Sequence, residues 1–323
     1  MRKRLVVMLV ALFWLVPACL FQDTTGDRPL RVGWYRWPGW YPMAIAQDQD
    51  LFRRAGVDVV PVLYDDYTHM LLDLFSGRLD GCCSGLFELL RSGIVDLKVV
   101  LVTDSSEGAE GLVAVPDIRD PRDLAGKRVG IQRSGGGGEL LIAAMLERHG
   151  LSARDLILVD LDFELVAKEM PHNIQAGYTW EPYLSEARAK GARMLFSTAD
   201  IPGLIVDVVV FNDWCARDRG ADVRAFVAAW FEAQALWMAE PEKASAAIAR
   251  VAGVAAPQNG AGFRVFDLEA NIGAFRDGDG NSSLANVGSG QVEFLVEQGY
   301  LSQRPDLGKL LDGSFLPARQ VGP

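Results

Sequence analysis

The sequence predicts an α/β protein of two lobes, one inserted between the two halves of the other. Three observations carry that expectation. Strand and helix patterns alternate from Leu30 to Thr103 in a βαβα rhythm, which yields a mainly parallel sheet with helices on both faces. Two apolar, β-branched runs, Gly111–Val115 and Leu204–Phe211, bracket a second unit of the same kind. The 323 residues, half of them hydrophobic, suffice for two domains of ordinary size.

In chain order, Leu30–Trp34 reads as the first strand. Pro42 then opens a helix over Met43–Ala55, with Pro in its favoured first turn and Gly56 as its stop. Val57–Leu63 is a strand, Thr68–Ser76 a helix closed by Gly77, Gly81–Cys83 a short buried strand, Leu86–Ser92 a helix and Leu97–Thr103 a strand. Within the second unit the pattern gives strand Lys127–Gln132, helix Glu139–His149, strand Leu156–Leu161, a segment Ile174–Thr179, helix Tyr183–Lys190 and strand Arg193–Ser197. Beyond Phe211 the texture turns helical, over Val223–Ala239, Pro241–Val251 and Gln291–Gln298. The stretch Gly253–Gly290, rich in Gly, Asn and Asp, is expected to loop over the surface. Residues 30–112 and 212–323 are thus assigned to lobe 1 and residues 113–211 to lobe 2, with loops at the carboxyl ends of the strands around a crevice.

The amino terminus follows another logic. Met1-Arg2-Lys3-Arg4 precedes an apolar run, Leu5–Val16, that falls short of the ~20 residues a spanning helix needs. It suits the hydrophobic region of a secretory signal. The following Val16-Pro17-Ala18-Cys19 resembles a bacterial lipobox, so residues 1–18 are expected to be a lipoprotein-type signal peptide, Cys19 a lipidation site and residues 19–29 a tether. An ordinary signal peptide cut near Ala18 is the alternative. Removal of residues 1–18 takes away three cations and leaves a more acidic body.

Composition excludes several functions. With 32 Lys+Arg against 42 Asp+Glu, a net charge of −10 and no basic stripe, the chain lacks the clustered cations that neutralise phosphates, which argues against nucleic acid as a partner. Cys82, Cys83 and Cys215 fit no zinc spacing and read as buried thiols, with at most one disulfide to Cys215. Asp277-Gly-Asp279 begins like a calcium loop, but Gly288 stands where a bidentate Glu is required. His69, His149 and His172 are scattered, and there is no nucleophile elbow or HExxH helix. Neither catalysis, a cofactor nor a metal is called for.

Binding residues are a different matter. Trp34-Tyr35-Arg36-Trp37-Pro38-Gly39-Trp40-Tyr41 sets five aromatics in eight residues at the carboxyl end of a strand. Trp34 alternates with Leu30 and Val32 and belongs to the core, whereas Trp37, Trp40 and Tyr41 form either a pocket wall or packing between lobes. Ser134, Gly135 and Gly136 lead the run Ser134–Gly138 ahead of a helix, where free N–H groups favour an anionic oxygen, with Arg36 and Arg133 as nearby positive charge. Against these stand acids at strand ends, Asp65, Asp104 and Glu181. Asp207 lies inside the apolar run Ile205–Phe211, where a carboxylate needs a partner or a cationic ligand.

Five segments resemble the solute-binding proteins of bacterial ABC importers for nitrate, taurine and sulfonates: Trp37-Pro-Gly-Trp40, Gly77-Arg-Leu-Asp80-Gly81, Asp104-Ser-Ser-Glu-Gly108, Asp123-Leu-Ala-Gly126-Lys127-Arg-Val-Gly130 and Thr179-Trp180-Glu181-Pro182-Tyr183. The resemblance runs from about Leu30 to Gly253 and implies a type II periplasmic binding fold. Its two lobes would close on a small polar solute, with Asp104, Ser134–Gly138 and Glu181 facing the cleft. It also implies a monomer, lipid-anchored in the periplasm, with ABC permease and ATPase subunits as partners and no enzymatic activity. Gln175 and Glu110-Gly111 depart from the usual pattern on the hinge side of that pocket. A ligand-sensing receptor of the same fold, or a pyrimidine-precursor synthesis enzyme of a related branch, are the alternatives. The residues leave the sign of the ligand open between a sulfonate-like anion and an amine.

Overall fold

The computed structural model describes residues 28–133, 137–255, 262–276, 278 and 280–318. The expected signal peptide, Cys19, most of the expected tether and Ser134–Gly136 therefore lie outside the described residues. The chain forms two mixed sheets flanked by helices. The first has six strands in the order β11 (Phe263–Val265), β4 (Leu97–Ser106), β10 (Val206–Asn212), β3 (Gly81–Gly85), β1 (Leu30–Trp34) and β2 (Val59–Leu63). The second has five, in the order β7 (Ile157–Asp160), β6 (Arg128–Ile131), β8 (Ala176–Trp180), β5 (Glu110–Ala114) and β9 (Arg193–Ser197).

The two-lobed α/β fold is as expected, with two corrections. The sheets are mixed rather than mainly parallel: β10 runs antiparallel to both β3 and β4, and β5 antiparallel to both β8 and β9. The run expected to close lobe 2 is β10, and it lies in the middle of the first sheet. A continuous β-branched run needs cover on both faces, and a central strand of the larger sheet supplies it. The chain thus crosses back ahead of Val206, not after Phe211. Proline in a strand is tolerated where its missing N–H is not needed, and Pro61 accordingly sits in β2 at the sheet edge.

The stretch Gly253–Gly290 is a third correction. It holds β11, the helix Leu268–Ala274 and the start of the helix Leu284–Glu297. The polar residues that suggested a loop are helix starts: Asp267 accepts from Ala270 N at 2.8 Å, and Ser283 caps the next helix. Asn271 is fully buried and acts as a piece of backbone, its Oδ1 accepting from Val102 N at 2.7 Å and its Nδ2 donating to Val102 O at 2.9 Å. Replacing Asn271 by Leu leaves those groups of β4 unpaired in a dry site, so chemical denaturation is expected to show a loss of about 1–3 kcal/mol.

Candidate functional site

A narrow cleft, with about 420 Å³ of space between protein atoms counting its open mouth, is lined by residues of both sheets. Tyr35, Trp37 and Trp40 enter it from the segment after β1, Tyr67 from the helix Tyr67–Phe75, Gly85 from the end of β3, Glu88 from the helix Leu86–Ser92, and Asp207 from β10. From the other lobe come Glu110 on β5, Gly137, and Tyr178 and Trp180 on β8, with Ile205 on the crossing chain. Tyr178 and Trp180 share a face of β8 because alternate strand residues do.

The electrostatics are one-sided. None of these lining residues is basic. Asp207 and Asp104 are register partners on β10 and β4, and side chains directly opposite share one face of a sheet. Burial pushes both carboxyls above the usual range, and repulsion from Asp104, Glu110 and Glu88 adds to the rise at Asp207. Burial likewise raises Glu110 to about 7, although Tyr178 Oη donates to its Oε2. Behind the wall, Trp37 Nε1 donates to Asp104 Oδ1 at 2.9 Å and Thr103 Oγ1 to Oδ2 at 2.7 Å. Gly39 lies so close that a Cβ there would sit 1.8 Å from Asp104 Oδ2. The Trp-Pro-Gly-Trp segment is thus shaped around one buried carboxylate.

The expected site residues divide. Trp37, Trp40 and Asp207 line the cavity, and Asp104 supports its wall from beneath. Tyr41 does not line it: its ring packs on Trp237, 6.3 Å between centroids, among the helices behind the first sheet. Asp65 is a surface residue paired with Arg36, and that pairing also removes Arg36 as a source of positive charge. Glu181 is turned to the helix Tyr183–Ala189, accepting from Ser185 N at 3.1 Å and Ser185 Oγ at 2.8 Å. A carboxylate ahead of a helix finds free N–H groups there, which explains its position without a ligand. Ser134, Gly135 and Gly136 lie outside the described residues, while Gly137 beside them lines the cavity. Arg133 is exposed.

Sequence reasoning missed Tyr67, Tyr178, Trp180, Gly85 and Glu88 as lining residues and met Glu110 only as a departure from a pattern. The signal for Glu88 was present: a single carboxylate in the apolar helix run Leu86-Phe87-Glu88-Leu89-Leu90 is almost never fully buried without reason. Cys82, Cys83 and Cys215 are buried free thiols, and burial pushes Cys215 up to about 12. Such thiols are poor nucleophiles.

Contacts also join the lobes around the cavity. Tyr35 Oη donates to Glu164 Oε1 at 2.9 Å, and Tyr67 meets Trp180 edge-on at 6.5 Å. Arg91 Nη1 reaches Glu139 Oε2 at 2.9 Å while its guanidinium lies 4.2 Å over the Tyr300 ring, whose hydroxyl donates to Glu139 Oε1.

Two α/β lobes with a cleft between them, lined from both, define the chain as having the fold of the periplasmic binding proteins. The NMT1/THI5-like family model matches residues 37–244, and the chain belongs to that family. Among solved structures it is similar to the periplasmic aliphatic sulphonate binding protein SsuA from Escherichia coli, with 21% identity, a TM-score of 0.70 and coverage of 87% of this chain and 96% of that one. It is similar also to the periplasmic nitrate-binding protein NrtA from Synechocystis PCC 6803, at 13% identity, TM-score 0.70, and 89% and 86% coverage. The desulfurization enzyme DSZB shares the fold at 17% identity, TM-score 0.64, and 89% and 97% coverage. No curated protein matches the sequence.

Two outcomes follow from this geometry. Gly39→Ala is expected to displace Asp104 or the Trp37–Trp40 turn, and tryptophan fluorescence together with the melting temperature reads the change. The raised carboxyls make the folded protein bind more protons than the unfolded chain between about pH 4 and 7. Their stabilising contribution is therefore complete below the unfolded carboxylate range and is lost as pH rises through about 7. The groups facing Asp207 are Asp104, Glu88, Glu110, Trp40, Tyr67, Tyr178 and Cys83, none of them a cation. Thermal melts of the ligand-free protein are expected to fall between pH 5 and pH 8, and less so in Asp207→Asn.

Proposed function

We propose that this chain is the solute-binding component of an ABC-type importer. It is exported, held at a bacterial membrane on the periplasmic side through a lipid on Cys19, and acts as a monomer that makes and breaks no bond. Its lobes close on a small polar organic solute, which it hands to a membrane permease served by an ATPase subunit. The observation that carries this reading is the cleft between the lobes, with aromatic and carboxylate groups contributed by both.

Closure works by differential affinity. A solute that touches Trp40 and Asp207 on one side and Glu110 and Trp180 on the other gains its full set of contacts only when the lobes meet, so it favours the closed form by those contacts. The ion pair Arg91–Glu139 and the bond Tyr35–Glu164 then complete the closed form from the rim. The Arg91–Glu139 pair, mostly shielded from water, contributes more than a fully exposed one, whose worth is about 0–1 kcal/mol.

Two expected outcomes test the proposal. Small-angle scattering on the purified chain is expected to show compaction when a bound solute is added, and Trp40→Ala with Asp207→Ala to abolish both binding and compaction. A bound solute with no change in dimensions contradicts the closure mechanism. Cys19→Ser is expected to move the protein from the membrane fraction to the soluble fraction of the producing cells.

A further inference from the structure

We infer that the cleft takes a small organic cation with N–H donors, a protonated amine or guanidinium, at the point where Glu88 and Asp207 converge over Gly85. The inference rests on the solute-binding reading above and names the ligand class for the same cavity. Gly85 ends β3 opposite Asp207 in the register of β10. A Cβ on Gly85 would lie 2.0 Å from Glu88 Oε2 and 3.5 Å from Asp207 Oδ1, so two carboxylates from different elements meet over one backbone position. Glu110 faces them across the same cavity from the other lobe.

Three further features fix the sign and the chemistry. Positive side chains nearby are engaged elsewhere, Arg36 with Asp65 and Arg91 with Glu139, and neither arginine lines the cavity. Trp40 is 3% exposed, and its Nε1 makes no hydrogen bond among the described residues. An indole N–H only donates, so it is met by an acceptor atom carried on the same ligand and not by the cationic group itself. The remaining walls are the rings of Trp37, Tyr67, Tyr178 and Trp180, whose faces attract cations.

An anion fares badly in the same place. A sulfonate or nitrate finds no cation in the lining, and any carboxyl that ionises beside it repels it at low dielectric. A quaternary ammonium satisfies the rings but offers no N–H to the carboxylate oxygens, so a primary amine or guanidinium is favoured over it.

Calorimetric titration and thermal shift on the full chain test this with propylammonium, agmatine, tetramethylammonium, ethanesulfonate and nitrate as probes. Propylammonium or agmatine is expected to bind and raise the melting temperature, and tetramethylammonium to bind more weakly. Asp207→Asn and Glu88→Gln are expected to weaken that binding at least ~10-fold, as loss of a charge-assisted hydrogen bond does. Their ligand-free melting temperatures show that they fold, and Asp207→Asn is expected to melt no lower than the parent because it relieves buried repulsion. Failure of every cation to bind overturns the inference. If ethanesulfonate or nitrate binds instead, the solute-binding reading stands without it; if no probe of either charge binds, that reading falls as well.

Discussion

The crowding of buried carboxyls around one cleft is the constraint on which the rest of the structure depends. Asp104 and Asp207 face each other across adjacent antiparallel strands, and Glu88 and Glu110 close on the same cavity. Carboxyls so placed keep their protons far above the ordinary range or require a cation. The local architecture answers that constraint at each point. Gly39 and Gly85 leave room for a carboxylate where any side chain would collide, and Trp37 Nε1 and Thr103 Oγ1 supply hydrogen bonds to Asp104. Tyr178 does the same for Glu110.

Position in the fold makes the constraint useful. The first sheet brings Asp207 and Gly85 together through the antiparallel pairing of β10 with β3, and the second sheet presents Glu110, Tyr178 and Trp180 from β5 and β8. Neither lobe alone has the complete set. On the proposed reading, a ligand that neutralises the acids joins the lobes as well, so that binding and closure are coupled by electrostatics, with Arg91, Glu139 and Tyr300 at the rim adding to the closed form.

Much of the fold was legible in the sequence because periodicity and punctuation report on local backbone. Gly77, Gly93, Gly150 and Gly253 stand at positive φ where helices end. Strand direction and sheet membership were not legible: β10 reads as a buried strand from its side chains, but its sheet is decided by partners distant in sequence. The site divided in the same way. Trp37, Trp40 and Asp207 stood out by local density or by violating a local pattern. Asp65 and Glu181 looked identical to cleft acids by position at strand ends, and only geometry shows one paired with Arg36 and the other bound to a helix start. Glu88 and Tyr178 were hidden inside apolar runs, where the usual reading is core.

The central claim is that the cleft acids hold protons which a bound cation displaces. Titration of a binding amine or guanidinium at pH 6.5 in buffers of different ionisation enthalpy measures that directly. The account predicts net proton release on binding, because a cation beside Glu110, Asp104 and Asp207 lowers carboxyls that burial raises, Glu110 and Asp104 to about 7 and Asp207 well above the usual range. Proton uptake, or no proton exchange at all, would contradict it.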